Sequence, residues 1–440
     1  MQKHTDLTKS ILTTIIADMA KSSMLYAKNP GTDFTRTGKL PFDEMIKQLV
    51  CMGGNTLTKE LLDAYHYNPD TVTSSAFVQQ RAKILPIAFE FLLQEFTSSC
   101  MQAKTYNGYR LLAGDGSSLN ISHDPTDTDT YYKRTSDAKG YNLLHLNAFY
   151  DLCTKVYVDA MVHLGMGGEH RALVDMVGRL PVHDKTIIVL DRGFESYNNM
   201  AHIERKGWYY VIRAKDITSR GGILCGLKLP SGGEFDVPIS FVLTRKSTNA
   251  VKAQPDVYKI IHKTDRLDFL DLHENKFYHF SFRVVRVILP NGEYESLITN
   301  LPANEFSPSI LKDIYKRRWG IETSFRELKH TIGMANFHAK KREFIIQEIF
   351  ARLIMYNFVS IITVEVVISQ NERQYVYKVN FTTAVIVCRR FLRLRNNEPP
   401  LDVEFLLGKS ITPIRPVRKG QTSARSANPK APFSFTYRIS

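Results

Sequence analysis

The sequence predicts a mixed α/β fold with helical flanks, and three observations carry that reading. Between residues 109 and 213, short apolar runs of strand type alternate with amphipathic helical stretches, the pattern of a sheet covered by helices. Lys185–Leu190 (KTIIVL) is almost continuously apolar, the mark of a central strand buried on both faces. Helical spacing of apolar residues dominates on both sides, in ILTTIIADMA near the start and from about 307 to 394.

A chain of 440 residues holds roughly three domains' worth of material. Its 43% hydrophobic and 23% charged residues exclude disorder, a collagen-like chain or a disulfide-stapled scaffold as the main state. The five cysteines are scattered singly with no CxxC pair, which argues for isolated thiols in a reducing compartment and against structural zinc. Leu353–Val364 carries no charge but is 12 residues long between Arg352 and Glu365; a membrane span needs ~20, so a buried helix is expected. The start, MQKHTDLTKS, lacks the apolar core of a signal peptide, and a cytoplasmic protein is expected.

Charge gives the first positive indication. Lys and Arg total 58 against 44 acidic residues, a net charge of +14 and a pI near 9.4. Such an excess favours a polyanionic partner, nucleic acid ahead of an anionic membrane. From Lys409 to Ser440 there are seven basic residues and no acidic one amid Pro, Ser, Thr and Gly, so 409–440 reads as a flexible basic tail.

Residues 1–105 read as a helical domain, with Pro41 at a helix start and a break at Asn68-Pro69-Asp70. Basic punctuation (Arg36, Lys39, Lys47, Arg81, Lys83) fits a DNA-binding bundle, and a packing-only domain nearly as well. Over 106–216 the order is three strands (from Tyr109 to Asp115, Tyr141–Tyr150, Val156–Leu164), a helix (Glu169–Leu180), the strand ending before Asp191, a helix (Asn198–Arg205) and a strand (Trp208–Arg213). Residues 217–301 are β-rich with frequent turn signals, including a hairpin through Pro290-Asn291-Gly292, and read as an inserted subdomain. The core resumes over 302–350, followed by a helical region over 351–408.

The chemistry-bearing residues sit at the joints of this scheme. Asp115 and Asp191 each end an apolar strand and precede glycine-containing sequence (GDGSSL, VLDRGF), although an Asp leaving a strand is more often a turn former. In DIYKRRWGIETSFRELKH, Tyr315, Arg318, Glu322 and Lys329 would fall within a ~60° arc of one helix. A solvated face with an Arg–Glu pair would look similar, but would not explain an aromatic hydroxyl at its head. Three carboxylates beside fixed cations suit hard divalent ions and a phosphodiester substrate. No HExxH occurs, and Gly165-Met-Gly167-Gly168 has His170 where a dinucleotide fingerprint needs its last glycine.

The Tyr-x2-Arg-x3-Glu-x6-Lys spacing, with Asp115 and Asp191 ahead of it, resembles that of bacterial insertion-sequence transposases of the DDE superfamily, in the insertion-sequence-four family. The likeness extends over most of 35–395, including FTRTGKLPF and SSAFVQQRAKI, and the 131 residues from Asp191 to Glu322 leave room for the β insertion such enzymes carry. It implies a ribonuclease-H-like core in which Asp115, Asp191 and Glu322 are catalytic and hold two Mg²⁺ ions, with Mn²⁺ as a substitute. Tyr315, Arg318 and Lys329 would hold DNA phosphates, and Arg192 and Arg213 are weaker phosphate candidates. The implied partners are double-stranded DNA, as terminal inverted repeats and target, and a second copy in a homodimer at the nucleoid. The implied activity is cut-and-paste transposition. A silent transposase-derived DNA-binding protein and a nuclease without strand transfer are the competing readings. Some relatives carry a Trp in the strand before the signature helix; here GEYESLITNLP has none, and Tyr294 is the nearest aromatic. Trp319 is expected in the core, as is Trp208 at the head of a strand.

Overall fold

Helices open the chain: α1 (Gln2–Lys21), α2 (Phe42–Cys51), α3 (Leu57–Ala64), α4 (Ser74–Arg81) and α5 (Ile87–Ser99). Their starts follow local chemistry. Pro41 precedes α2, whose first turn carries Asp43 and Glu44, while the Thr56 and Thr73 hydroxyls accept backbone N–H groups at the heads of α3 and α4. The computed structural model describes residues 2–414 apart from 37, 101–103, 134, 137–138, 166–167, 182–184, 220, 263–264, 271–275, 367, 369–374 and 396–397. From residue 415 on, the expected basic tail lies outside the described residues.

The middle of the chain supplies β1 (Arg110–Ile121), β2 (Tyr131–Tyr132), β3 (Tyr141–Asp151), β4 (Val156–Leu164), α6 (Glu169–Arg179), β5 (Thr186–Leu190), α7 (Tyr197–Arg205) and β6 (Tyr209–Ala214). Then come β7 (Phe235–Thr244), α8 (Asn249–Lys252), β8 (Tyr258–Ile260), β9 (Phe277–Ile288) and β10 (Tyr294–Thr299). The rest is α9 (Pro308–Arg317), α10 (Trp319–Glu327), α11 (Arg342–Val364), β11 (Tyr377–Val379), α12 (Phe381–Arg393), α13 (Val403–Lys409) and β12 (Ile411–Pro413).

Within the sheet, β4, β3 and β1 pair antiparallel, and β1, β5 and β6 pair parallel. That order and polarity are those of a ribonuclease-H-like core, as expected. The β-rich stretch 217–301 does not build a sheet of its own. β10 pairs antiparallel with β6, and β9, β7 and β8 follow, so that among the described residues one ten-stranded sheet spans both parts.

Alternation along the strands decides what each face touches. Leu112, Ile188 and Leu190 pack with α6, α7 and the aromatics of β7 and β9. Leu111, Ile187 and Val189 pack against α9, while Ala113 joins α10, α11, α12 and the opening helices in one continuous core. Among the described residues α11 is long and apolar enough to cross a membrane, yet 94% of its apolar window is buried inside the protein. It is the central pillar of that core.

One buried ionic cluster ties the opening helices to this pillar. Arg81 on α4 donates to Gln347 at 3.1 Å, Glu348 at 3.0 Å and the Phe344 carbonyl at 2.9 Å. Glu348 also meets Arg352 at 3.0 Å and His338 at 3.2 Å. Further along, Arg389 of α12 donates to both the Met52 and Ile332 carbonyls. Gly333 (φ +101°) closes the turn after Ile332, with its α-hydrogens facing the Gly54 backbone, where a side chain would not fit.

Candidate active site

β1 and β5 run parallel with Gly114 opposite Leu190 as their last pair, so Asp115 and Asp191 are the next residues on neighbouring strands. By alternation Asp115 shares the face of Leu111 and Ala113, and Asp191 that of Ile187 and Val189, the faces covered by α9 and α10. The sequence reading ended the first strand at Asp115. Instead β1 continues to Ile121, because β3 goes on pairing with it after β5 has stopped. Asp115 accepts the Gly116 N–H at 2.8 Å. A Cβ on Gly116 would collide with His145 Nε2, whose ring lies 2.9 Å from Glu169 on the opposite face of the sheet. Asp191 caps the short turn Arg192–Phe194 by accepting the Gly193 N–H at 2.8 Å.

Glu322 arrives from α10. The single regular helix expected over Tyr315–Lys329 needs correction in two places. At Arg318 the chain tightens, its N–H bonding the Tyr315 carbonyl three residues back, and α9 gives way to α10. After Glu327 it widens into a π turn, Leu328–Ile332, of the kind frequent at functional positions. The wide turn sends Lys329 across to β1, where its ammonium donates to the Ser118 carbonyl at 2.9 Å.

Arg318 is the hub of the arrangement. Only 6% exposed, it donates from Nη2 to Glu322 at 2.6 Å, and Nη1 lies 3.7 Å from Asp115. One guanidinium thus separates two carboxylates brought from a strand and a helix. Burial, followed by repulsion from Asp191 and Glu322, pushes the Asp115 carboxyl up to about 6, against the pull of the Gly116 N–H and Arg318. Burial also lowers the Lys329 ammonium, which Asp115 partly restores.

The remaining expected residues divide. Tyr315 is buried against Leu111, Val189 and Val211, its ring 5.6 Å from the Arg318 guanidinium. Arg213 lies to the same side but pairs with Glu295 at 3.4 Å, a partner from β10 that spacing along the chain does not reveal. Arg192 is exposed in the turn after Asp191. Tyr294, at the head of β10, has the Arg286 guanidinium stacked 3.8 Å over its ring. Trp208 is buried as expected, whereas Trp319 is 60% exposed: Arg318 takes the inward position of this turn, and its neighbours Lys316, Arg317 and Trp319 face out.

The donor set fits a hard divalent cation, being three carboxylates with no thiolate or imidazole among them. Among the described residues no three His, Cys, Asp or Glu side chains yet converge to hold an ion, and Arg318 stands between two of the three. The Tyr315 hydroxyl and Arg318 Nε and Nη1 are buried without hydrogen-bond partners. Unsatisfied buried donors cost about 1–3 kcal/mol each.

A family profile described as "Transposase DDE domain" matches residues 106–358. The putative transposase InsL of insertion sequence element IS186A from Escherichia coli (strain K12) is 30% identical over 190 residues, 38% of this chain and 48% of that protein. The transposase of insertion sequence element IS421, from Escherichia coli, matches to the same extent. The chain therefore spans about half the length of these curated relatives. The cryo-EM structure of a piggyBac transposase synaptic complex with hairpin DNA aligns with 91% of this chain and 83% of its own, at a TM-score of 0.47 and 13% identity.

Proposed function

We infer the activity from one premise: this chain belongs to the transposase DDE-domain family, whose profile covers more than half of its 440 residues. On that premise the protein cuts DNA at the ends of an insertion sequence and joins the freed 3′-hydroxyls to target DNA. The Tyr315, Arg318, Glu322 and Lys329 spacing supports reading it as a member of the insertion-sequence-four branch. It works as a dimer that holds two ends together.

The observation supporting this reading is the meeting of Asp115 and Glu322 on the two sides of one guanidinium, with Asp191 on the next strand. Asp115, Asp191 and Glu322 would hold divalent cations, Mg²⁺ or in its place Mn²⁺, which would supply Lewis-acid stabilisation of the phosphate and of the attacking and leaving oxygens. Arg318 is the counter-ion of Asp115 and Glu322, and its Nε, without a hydrogen-bond partner, would be available to a phosphate oxygen. Lys329, held at the same strand, adds a point charge, and Tyr315 offers a hydroxyl donor from the apolar wall. Positioning and electrostatics of this kind supply most of the catalysis in phosphoryl transfer.

The test is a strand-transfer assay with labelled element ends and supercoiled target DNA. Joined products support the reading. Nicked ends without joined product reduce the protein to a nuclease, and retained end binding with neither product makes it a DNA-binding protein alone.

A further inference from the structure

Behind the carboxylates, on the outward side of the α9–α10 junction, lies a second feature that the chemistry above does not use. A groove of about 430 Å³ runs between that junction, the turn joining β3 to β4, and the C-terminal part of α11. Trp319 forms one wall with its indole 60% exposed, although Trp is among the residues a fold most readily buries. Lys316 and Arg317 adjoin it, Lys155 faces it from the β3–β4 turn and Lys378 from β11. Among the described residues Lys155, Lys316 and Lys378 make no close ion pair, and Lys378 and Lys155 act on the groove's Glu327 only from a distance. Lys155 holds a left-handed backbone (φ +60°), a position where Gly or Asn is easier, and still presents an ammonium here. The groove's carboxylate, Glu327, accepts the Tyr356 hydroxyl at 3.1 Å; burial pushes it up, while that bond and the charges of Lys378, Arg326 and Lys155 pull it back down.

A flat exposed aromatic beside four cations has a specific chemical meaning. Cations alone track any phosphate backbone, duplex or not. An indole face gains contact only with a base whose own face is bare, and each base stacked so is worth a considerable share of single-strand affinity. The volume is of the size that holds one nucleotide-like ligand. We propose that this groove binds single-stranded DNA, with one unpaired base stacked on Trp319 and its flanking phosphates held by Lys155, Lys316, Arg317 and Lys378. The assignment rests on the DNA-processing reading above and deepens it. Because Arg318 is buried toward Asp115 and Glu322 while Trp319 is exposed in the groove, the groove is assigned a strand other than the one at the carboxylates. It is a segment unpaired beside the cleavage point, held while the other strand is cut.

The chain contains two Trp residues, so once Trp208 is replaced by Phe the indole emission comes from Trp319 alone. The experiment titrates full-length protein carrying Trp208→Phe with an oligothymidine strand and with a duplex of equal length, following indole emission and, separately, anisotropy of labelled DNA. The expected result is saturable quenching by the single strand and little by the duplex. Trp319→Ala should weaken single-strand binding roughly tenfold by anisotropy, with Trp319→Phe recovering much of it. Lys316→Ala should lower the slope of log affinity against log salt by about 0.7. If both DNAs bind by anisotropy while the emission stays unchanged, or if the duplex quenches as strongly, the groove assignment is wrong and the transposase reading survives. If neither DNA binds, both are wrong. Should Trp208→Phe not fold, wild-type protein serves, with Trp319→Phe as the blank.

Discussion

Arg318 and Glu322 meet at 2.6 Å across one helical turn, in a site where Asp115 waits 3.7 Å from the other end of the same guanidinium. The arginine is a counter-ion to both carboxylates, and a divalent ion held by them would have to displace it.

Replacing it should reveal that competition. Arg318→Met leaves Asp115 and Glu322 without their shared cation, and the fold should lose about 1–3 kcal/mol in chelator, less than a fully buried pair would cost because the carboxylates are partly exposed. Mg²⁺ should raise the melting temperature of this variant more than that of the wild type. Thermal unfolding with and without metal measures it; equal metal responses would remove Arg318 from its role as place-holder.

The Asp115 carboxyl yields a pH prediction. Its folded-state pKa is raised to about 6 from an ordinary 3.8, so the protonated form favours the fold. That contribution is complete below about pH 3.8 and is lost as pH rises through 6. Asp115→Asn should then be more stable than wild type at pH 7.5 by about 1–2 kcal/mol, with the difference vanishing near pH 4. Denaturant midpoints across this range decide it.

Glu322→Gln keeps the shape of the side chain and its bond from Arg318 while removing a metal-binding charge. Cleavage should fall by about 10³-fold or more, as for residues acting as one unit. Affinity for element ends should change little. Unaltered cleavage in this variant would refute the assignment of Glu322.

Far from the site, Glu348 should govern how firmly the opening helices are held. Burial pushes its carboxyl up, but His338, Arg352 and Arg81 together outweigh this and hold it well below the usual carboxylate range. Its contribution is thus present above the ordinary value near 4.5 and is lost as pH falls below it. Glu348→Gln should cost about 3–5 kcal/mol at neutral pH, because Arg81 and Arg352 are left buried without their charge partner. Urea unfolding of the variant gives the number.

The core order and the two strand-borne aspartates were legible because an apolar run that stops at an acid is a local pattern. Glu322 was legible through its spacing from Tyr315, Arg318 and Lys329. What escaped depends on partners distant in the chain. Nothing in Tyr294–Thr299 says that it will pair with β6, so the continuity of the sheet could not be read. Helical periodicity puts Trp319 on some face of a helix without saying what covers that face, and Arg318 took the inward place. The wide turn at Lys329 ends at Gly333, which packs against Gly54, a contact between residues with no shared motif.

The clasp formed by Arg389, which holds the Met52 and Ile332 carbonyls together, bears on how the polypeptide can be divided. A shortened gene product starting at β1 would keep every acidic side chain of the catalytic centre. It would also strip the apolar flank of α11, strand Glu348 without Arg81 and release the loop that aims Lys329. The amino-terminal hundred residues thus pack against the elements that carry Glu348 and position Lys329, and a truncation starting at β1 should yield an insoluble product.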